Sequence, residues 1–332
     1  MRIITKFFKK NSQQIIRSLS LIIGLLLFFS FIYFSGWDRI RQLGQLKLLP
    51  LVLIFIFTFG ITSCVSFRWG GLVNAIGERR VAKWHEYYHY FIVSRVLGFV
   101  LPKDVTDFFG RTGLINRLHS LSIGRSGVSV ILDRFFDLLS VLIFFCASLP
   151  YWLGFVDLGQ GIALMVGLSL IIYLDILFFY RSFFKVLLWM AAIGIKFINQ
   201  MPILKKISFN PEVFYLLDRK IISISLLLSA LKFCLTALRF IFIASALQIS
   251  IPVSLIVLGT PLGQLTYIIA ITPGGLGIFE AGWFGILLAG GIDSGPALLF
   301  VVGQRILIVT CILFIFMIIQ LSFFHNSIKK IW

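Results

Sequence analysis

Four arginines in this sequence stand within or at the edge of apolar runs: Arg68, Arg134, Arg239 and Arg305. A guanidinium stays charged at any ordinary pH and forks onto phosphate or carboxylate oxygens. Charged side chains at membrane depth are rare and costly, so each needs a counter-ion and each marks a candidate functional site. The acids nearest to hand are Asp107, Asp133, Asp137 and Glu280, and Arg111 follows Asp107 by four residues. Asp133, Arg134 and Asp137 have the spacing of a local cluster, since positions 134 and 137 share a helix face. Arg305 has no acid within four residues. Its partner must therefore come from elsewhere, with Glu280 or a substrate phosphate the natural candidates. Lys232 is a weaker candidate of the same kind. Arg68 reads equally well as a side chain snorkelling at an interface. The chemistry these residues suit is the binding of an anionic head group.

The element that must position them is ITPGGLGIFEAG, residues 271–282. Pro273, Gly274, Gly275 and Gly277 are poor helix-interior residues, so the helix is expected to break there and restart near Glu280. At membrane depth a broken backbone is tolerated only where protein buries it or it lines a water-filled cavity. Discontinuous segments of this kind are where transporter folds place their substrates.

The surroundings are those of a polytopic membrane protein. The chain has 332 residues, 59% hydrophobic and 13% charged, with a mean hydropathy of +1.01. Six runs are long enough to span, about 15–35, 48–67, 124–147, 161–180, 221–247 and 297–322. The formal charge of +17 comes from 30 Lys/Arg against 13 Asp/Glu. In a soluble protein that excess suggests nucleic acid; here it reads as basic cytoplasmic loops on anionic lipid, with no nucleic-acid partner. Lys and Arg placement puts both termini in the cytoplasm, and the expected location is the bacterial cytoplasmic membrane. Segments 85–118 and 248–296 then read as hairpins dipping in from opposite sides. The basic-ended stretch 183–198 reads as an interfacial helix after the span 161–180. Cys64, Cys146, Cys234 and Cys311 lack metal-ligand or CxxC spacing and read as packing thiols. No cofactor is expected.

A shift of 171 residues superposes the unusual positions: Arg68 on Arg239, Pro102 on Pro273, Gly124 on Gly295 and Arg134 on Arg305. Apolar matches are expected by chance, but matched arginines at membrane depth are not. The expected fold is all-α within a single membrane domain, with repeat 1 over about 48–147 and repeat 2 over about 221–322. Because 48–67 runs inward and 221–247 outward, the repeats are inverted around a polar midplane cavity. Arg134 lies about ten residues into its span, or roughly 15 Å by helical rise. Arg305 lies at similar depth from the other side, giving a tier of guanidinium groups in each leaflet.

At these residues the sequence resembles the flippase-like membrane region of lysylphosphatidylglycerol synthases and its stand-alone relatives. The second half carries the Pro-Gly-Gly-x-Gly-x-x-Glu motif of that family in Pro273, Gly274, Gly275, Gly277 and Glu280, followed by a helix with Arg305. In the first half Pro102, Asp107, Arg111 and Arg134 occupy the pattern, with Thr106 where a glycine is usual and Arg111 one position late. The resemblance spans about 50–320. It implies a translocator of an anionic phospholipid or a polyprenyl-phosphate or glycolipid head group, or an accessory to lipid and glycan assembly. With the chain ending at Trp332, the expectation is the translocator part without the synthase.

One motif points to an enzyme instead. HEYYH at 85–89 has the H-E-x-x-H form that can bind zinc through His85 and His89, with Glu86 as general base. The alternative is a cluster of amphipathic side chains where the chain enters the head groups. A third ligand would have to be Asp104 or Asp107. The balance favours a non-enzymatic protein with no metal. A third class, a scaffold recruiting a lipid- or glycan-modifying enzyme, leaves the deep arginines unexplained. The partners expected are an anionic lipid or lipid-linked substrate and the surrounding membrane lipids.

Overall fold

The computed structural model describes residues 47–99, 101, 106–179, 217–269 and 272–328, with Tyr33, Ser182 and Lys185 besides. The expected first span 15–35 lies outside the described residues apart from Tyr33, and so does Pro102. Of the expected interfacial helix at 183–198, only Lys185 is described.

Every regular element among the described residues is helical. The order is α1 (Leu48–Ile76), α2 (Trp84–Leu97), a π-helical turn (Thr106–Gly110) leading into α3 (Arg111–His119), α4 (Ile123–Trp152) and α5 (Leu158–Phe178). The second part has α6 (Arg219–Ala246), α7 (Val253–Ile269), a 3-10 turn (Pro273–Gly275), α8 (Ile278–Ala289) and α9 (Ser294–Ile328). Several starts follow from capping chemistry. The Asp218 carboxylate accepts from the Ile221 N–H at 2.8 Å, and Asp157 accepts from the Gln160 N–H at 2.8 Å. Each satisfies a donor that the first helical turn leaves open.

Among the described residues four helices are long and apolar enough to cross a membrane: Leu48–Ile76, Leu158–Ile176, Arg219–Ala246 and Ser294–Leu321. The chain is an integral membrane protein. Helix α4 has 30 residues, but Arg125, Asp133, Arg134 and Asp137 interrupt its apolar run. Those charges are the ones the fold brings to its centre.

Helices α1 and α6 form the most extensive pair, and two apolar cores grow on either side of it. One gathers Trp69, Tyr87, Tyr90, Ile115 and Val130 from α1 to α4. The other gathers Phe240, Trp283, Ile286 and Phe300 from α6, α8 and α9, with Leu255 and Ile256 of α7. Trp283 lies so close over α7 that a Cβ on Gly263 would fall 2.5 Å from its indole nitrogen. Small residues therefore set how closely α7 and α8 approach, as is common between helices in membranes.

Candidate functional site

Arg68 sits at the centre of a buried ionic network. It is 1% exposed, and its Nε donates to Asp133 Oδ1 at 2.7 Å. Its Nη1 lies 2.6 Å from Asp137 Oδ1 and donates to Ser229 Oγ at 2.5 Å. The site is thus internal, and Arg68 is not a snorkelling side chain at an interface. Asp133 is shared, because its Oδ2 accepts from Arg111 Nη1 at 2.8 Å. Arg111 also reaches Asp107 at 3.3 Å and lies over the Phe91 ring at 4.6 Å. Asp107 in turn accepts from Ser94 Oγ at 2.9 Å and pairs with Arg134. The π-helical turn at Thr106–Gly110 carries Asp107 into this junction. Such turns are rare and cluster at functional sites. Asp133, Arg134 and Asp137 do not neutralise one another. Each reaches to another helix.

Among the described residues the second half pairs Arg305 with Glu280. Arg305 Nε lies 3.5 Å from Glu280 Oε1, and Arg305 Nη2 donates to the Gly274 carbonyl at 2.9 Å. Glu280 is fully buried, and its other oxygen accepts from the Gly277 N–H at 2.7 Å. Helix α8 therefore begins on a carboxylate that caps it and faces an arginine. Gly274, Gly275 and Gly277 have φ of 61°, 73° and 80°, the left-handed region that an L side chain resists. At Gly274 space is also closed, since a Cβ there would meet Arg305 Nη2 at 2.8 Å and the Gly98 carbonyl at 3.5 Å. The break before α8 thus rests against the end of α2.

Between these pairs lies a small cavity of about 80 Å³, lined by Arg95, Arg134, Lys232, Arg239 and Arg305 against one acid, Asp137. Lys232 Nζ is 2.8 Å from Asp137 Oδ2. Thr58, Thr62 and Thr236 also line it, each hydroxyl bonded back to a carbonyl of its own helix. The walls between are apolar, with Phe279, Val309 and Ile312 among them. Of the expected tiers, Arg134, Arg239 and Arg305 all reach this one cavity, while Arg68 and Arg111 stand behind it.

Two cations on the wall have no carboxylate partner among the described residues. Arg239 is 8% exposed; its Nε has no hydrogen-bond partner and its guanidinium lies 5.5 Å from the Phe240 ring. Arg95 donates to the Tyr267 hydroxyl at 3.2 Å and lies over the Phe91 and Tyr267 rings, 5.7 Å from each. Arg95 and Tyr267 went unnoticed as site residues in the sequence. The signal that singled out Arg305 applied to Arg95 as well: an arginine in an apolar segment with no acid within four residues.

The residues of the HEYYH segment are spoken for locally. Glu86 caps the start of α2, accepting from the Lys83 N–H at 2.6 Å, and His89 Nε2 lies 3.3 Å from Gln320 of α9. Among the described residues no group of three or more His, Cys, Asp and Glu is placed to hold a metal ion. Pro102 lies outside the described residues, as does Asp104, one of the two third ligands considered for zinc.

A helical membrane protein with a basic internal cavity is the class that fold and site define. A family model for the lysylphosphatidylglycerol synthase TM region matches residues 17–316. The chain belongs to that family. A search of curated proteins found no match.

Proposed function

We propose that the protein moves an anionic lipid or lipid-linked head group between leaflets, and that the cavity is its head-group site. The carrying observation is the wall charge: five basic side chains and one acid in a cavity whose remaining lining is apolar or uncharged polar. An apolar enclosure makes each unneutralised cation expensive, so the state of lowest energy has an anion bound. Arg134 and Arg305 grip the phosphate from two sides, and Asp107 and Glu280 neutralise them when the site is empty. The protein is a carrier by this reading, with no bond made or broken.

Element positions support an inverted repeat. Leu48 and Arg219 open α1 and α6, Ile123 and Ser294 open α4 and α9, and both pairs of starts are 171 residues apart. Helices α2 and α7, and α3 and α8, fall in the same succession. Each helix–break–helix unit reads as a hairpin entering from one side, the two breaks meeting at Gly98 and Gly274. Rocking one repeat against the other would expose the cavity to either leaflet in turn.

The test is translocation of fluorescent anionic lipid in reconstituted vesicles by wild type, Arg134→Ala and Arg305→Ala. Movement by wild type at least about tenfold faster than by either variant is expected, a change equal to one good charge-assisted contact. Equal movement in all three, with folding intact, contradicts the proposal.

A further inference from the structure

Among the described residues, seven basic side chains occupy the cavity wall and the ionic layer behind it, and four carboxylates pair with them. Arg68, Arg111, Arg134, Lys232 and Arg305 are tied to Asp107, Asp133, Asp137 and Glu280. Arg95 and Arg239 are tied to none among the described residues. Seven against four leaves an excess of three positive charges.

The origin of that excess lies in the sequence. Arg239 stands 171 residues after Arg68, in the corresponding place of the second half. Arg68 is held by Asp133 and Asp137. The residues 171 positions after those acids are Gln304 and Ile308. One half thus has acids that lock its arginine, and the other has Gln304 and Ile308 at those places and an arginine with no carboxylate partner among the described residues. Gln304 is fully buried, and neither amide atom of its side chain has a hydrogen-bond partner.

We infer that Arg239 and Arg95, which line one cavity with Tyr267, form the anion subsite, and that it takes a phosphoryl group with two or more negative charges, a diphosphate ester foremost. A phosphodiester brings a single charge and leaves most of the excess uncompensated. A phosphomonoester brings about 1.5 to 2 at neutral pH, and a diphosphate ester comes closer to three. Two guanidinium groups without carboxylates among the described residues have N–H donors left for phosphoryl oxygens, one donor of Arg95 being spent on Tyr267. The inference rests on the head-group reading of the cavity and names the ligand class for it.

The experiment measures binding to the full-length protein in nanodiscs of zwitterionic lipid. The probes are geranylgeranyl diphosphate, geranylgeranyl monophosphate, phosphatidylglycerol and inorganic diphosphate. The expected order is diphosphate, then monophosphate, then phosphatidylglycerol, with a spread on the order of tenfold or more between first and last. Arg239→Gln and Arg95→Gln each collapse that spread, while Arg239→Lys keeps part of it. Both Gln variants melt no lower than wild type without ligand, because each removes an uncompensated buried cation. Tighter binding of geranylgeranyl diphosphate identifies a lipid source; tighter inorganic diphosphate identifies a soluble one. Phosphatidylglycerol binding as tightly as the diphosphate overturns the inference, as does a Gln variant that melts lower and weakens every ligand alike. Vesicles in which no anionic lipid moves would instead remove the translocation reading and leave this ranking measurable.

Discussion

Asp133 divides its two oxygens between Arg68 and Arg111, at 2.7 and 2.8 Å, so one side chain holds two helices to α4. Asp133→Asn is expected to leave two buried guanidinium groups short of charge, and to cost about 3–5 kcal/mol of stability as broken buried pairs do. Denaturant unfolding in detergent, against Asp157→Asn at the exposed start of α5, measures it. Arg305 and Glu280 form a looser pair at 3.5 Å. A double-mutant cycle with Arg305→Gln and Glu280→Gln should show the double variant more stable than the sum of the single losses predicts. Additive losses would mean that the two side chains act apart. The sequence supplied Glu280 as a partner for Arg305 because no acid stood closer along the helix. It also offered Asp107 as a balancing charge for Arg134, and the packing of the π-helical turn on α4 brings the two together.

At the scale of elements, the break before α8 does the positioning. Gly274 combines a positive φ with a carbonyl that accepts from Arg305, and the place a Cβ would take is closed by that guanidinium and the end of α2. Gly274→Ala is expected to cost about 1–3 kcal/mol in strain and to displace Arg305 from the cavity wall. Thermal unfolding and anion binding should fall together. Unchanged binding would show that the turn is not what aims the arginine. The Pro-Gly-Gly-x-Gly-x-x-Glu run made this break legible, because glycine and proline at those spacings permit little else. Helix α2 was harder to place. Its His85, Glu86 and His89 read as head-group or metal chemistry from the H-E-x-x-H spacing. Packing separates them: Glu86 becomes a cap, His89 meets α9 and Arg95 reaches the cavity.

Over the whole molecule, sequence period and helix succession agree where the physics is strongest. Arginine is too costly at membrane depth to recur by chance, so the match of Arg68 with Arg239 and Arg134 with Arg305 pointed to the element order found. The closing of the cavity was not legible, because its walls come from α1, α2, α4, α6, α7, α8 and α9 at once. The proposed head-group cavity is tested most directly by capturing whatever lipid reaches its wall. A photoreactive residue at Val309, on the cavity wall, is compared with one at Phe314, which is 49% exposed on the same helix. After illumination in native membranes, mass spectrometry identifies the lipid captured at each position. Anionic lipid enriched at 309 over 314, and lost when Arg239→Gln is added, is the result expected. The same lipid mixture at both positions, unchanged by Arg239→Gln, would contradict an anion-binding cavity.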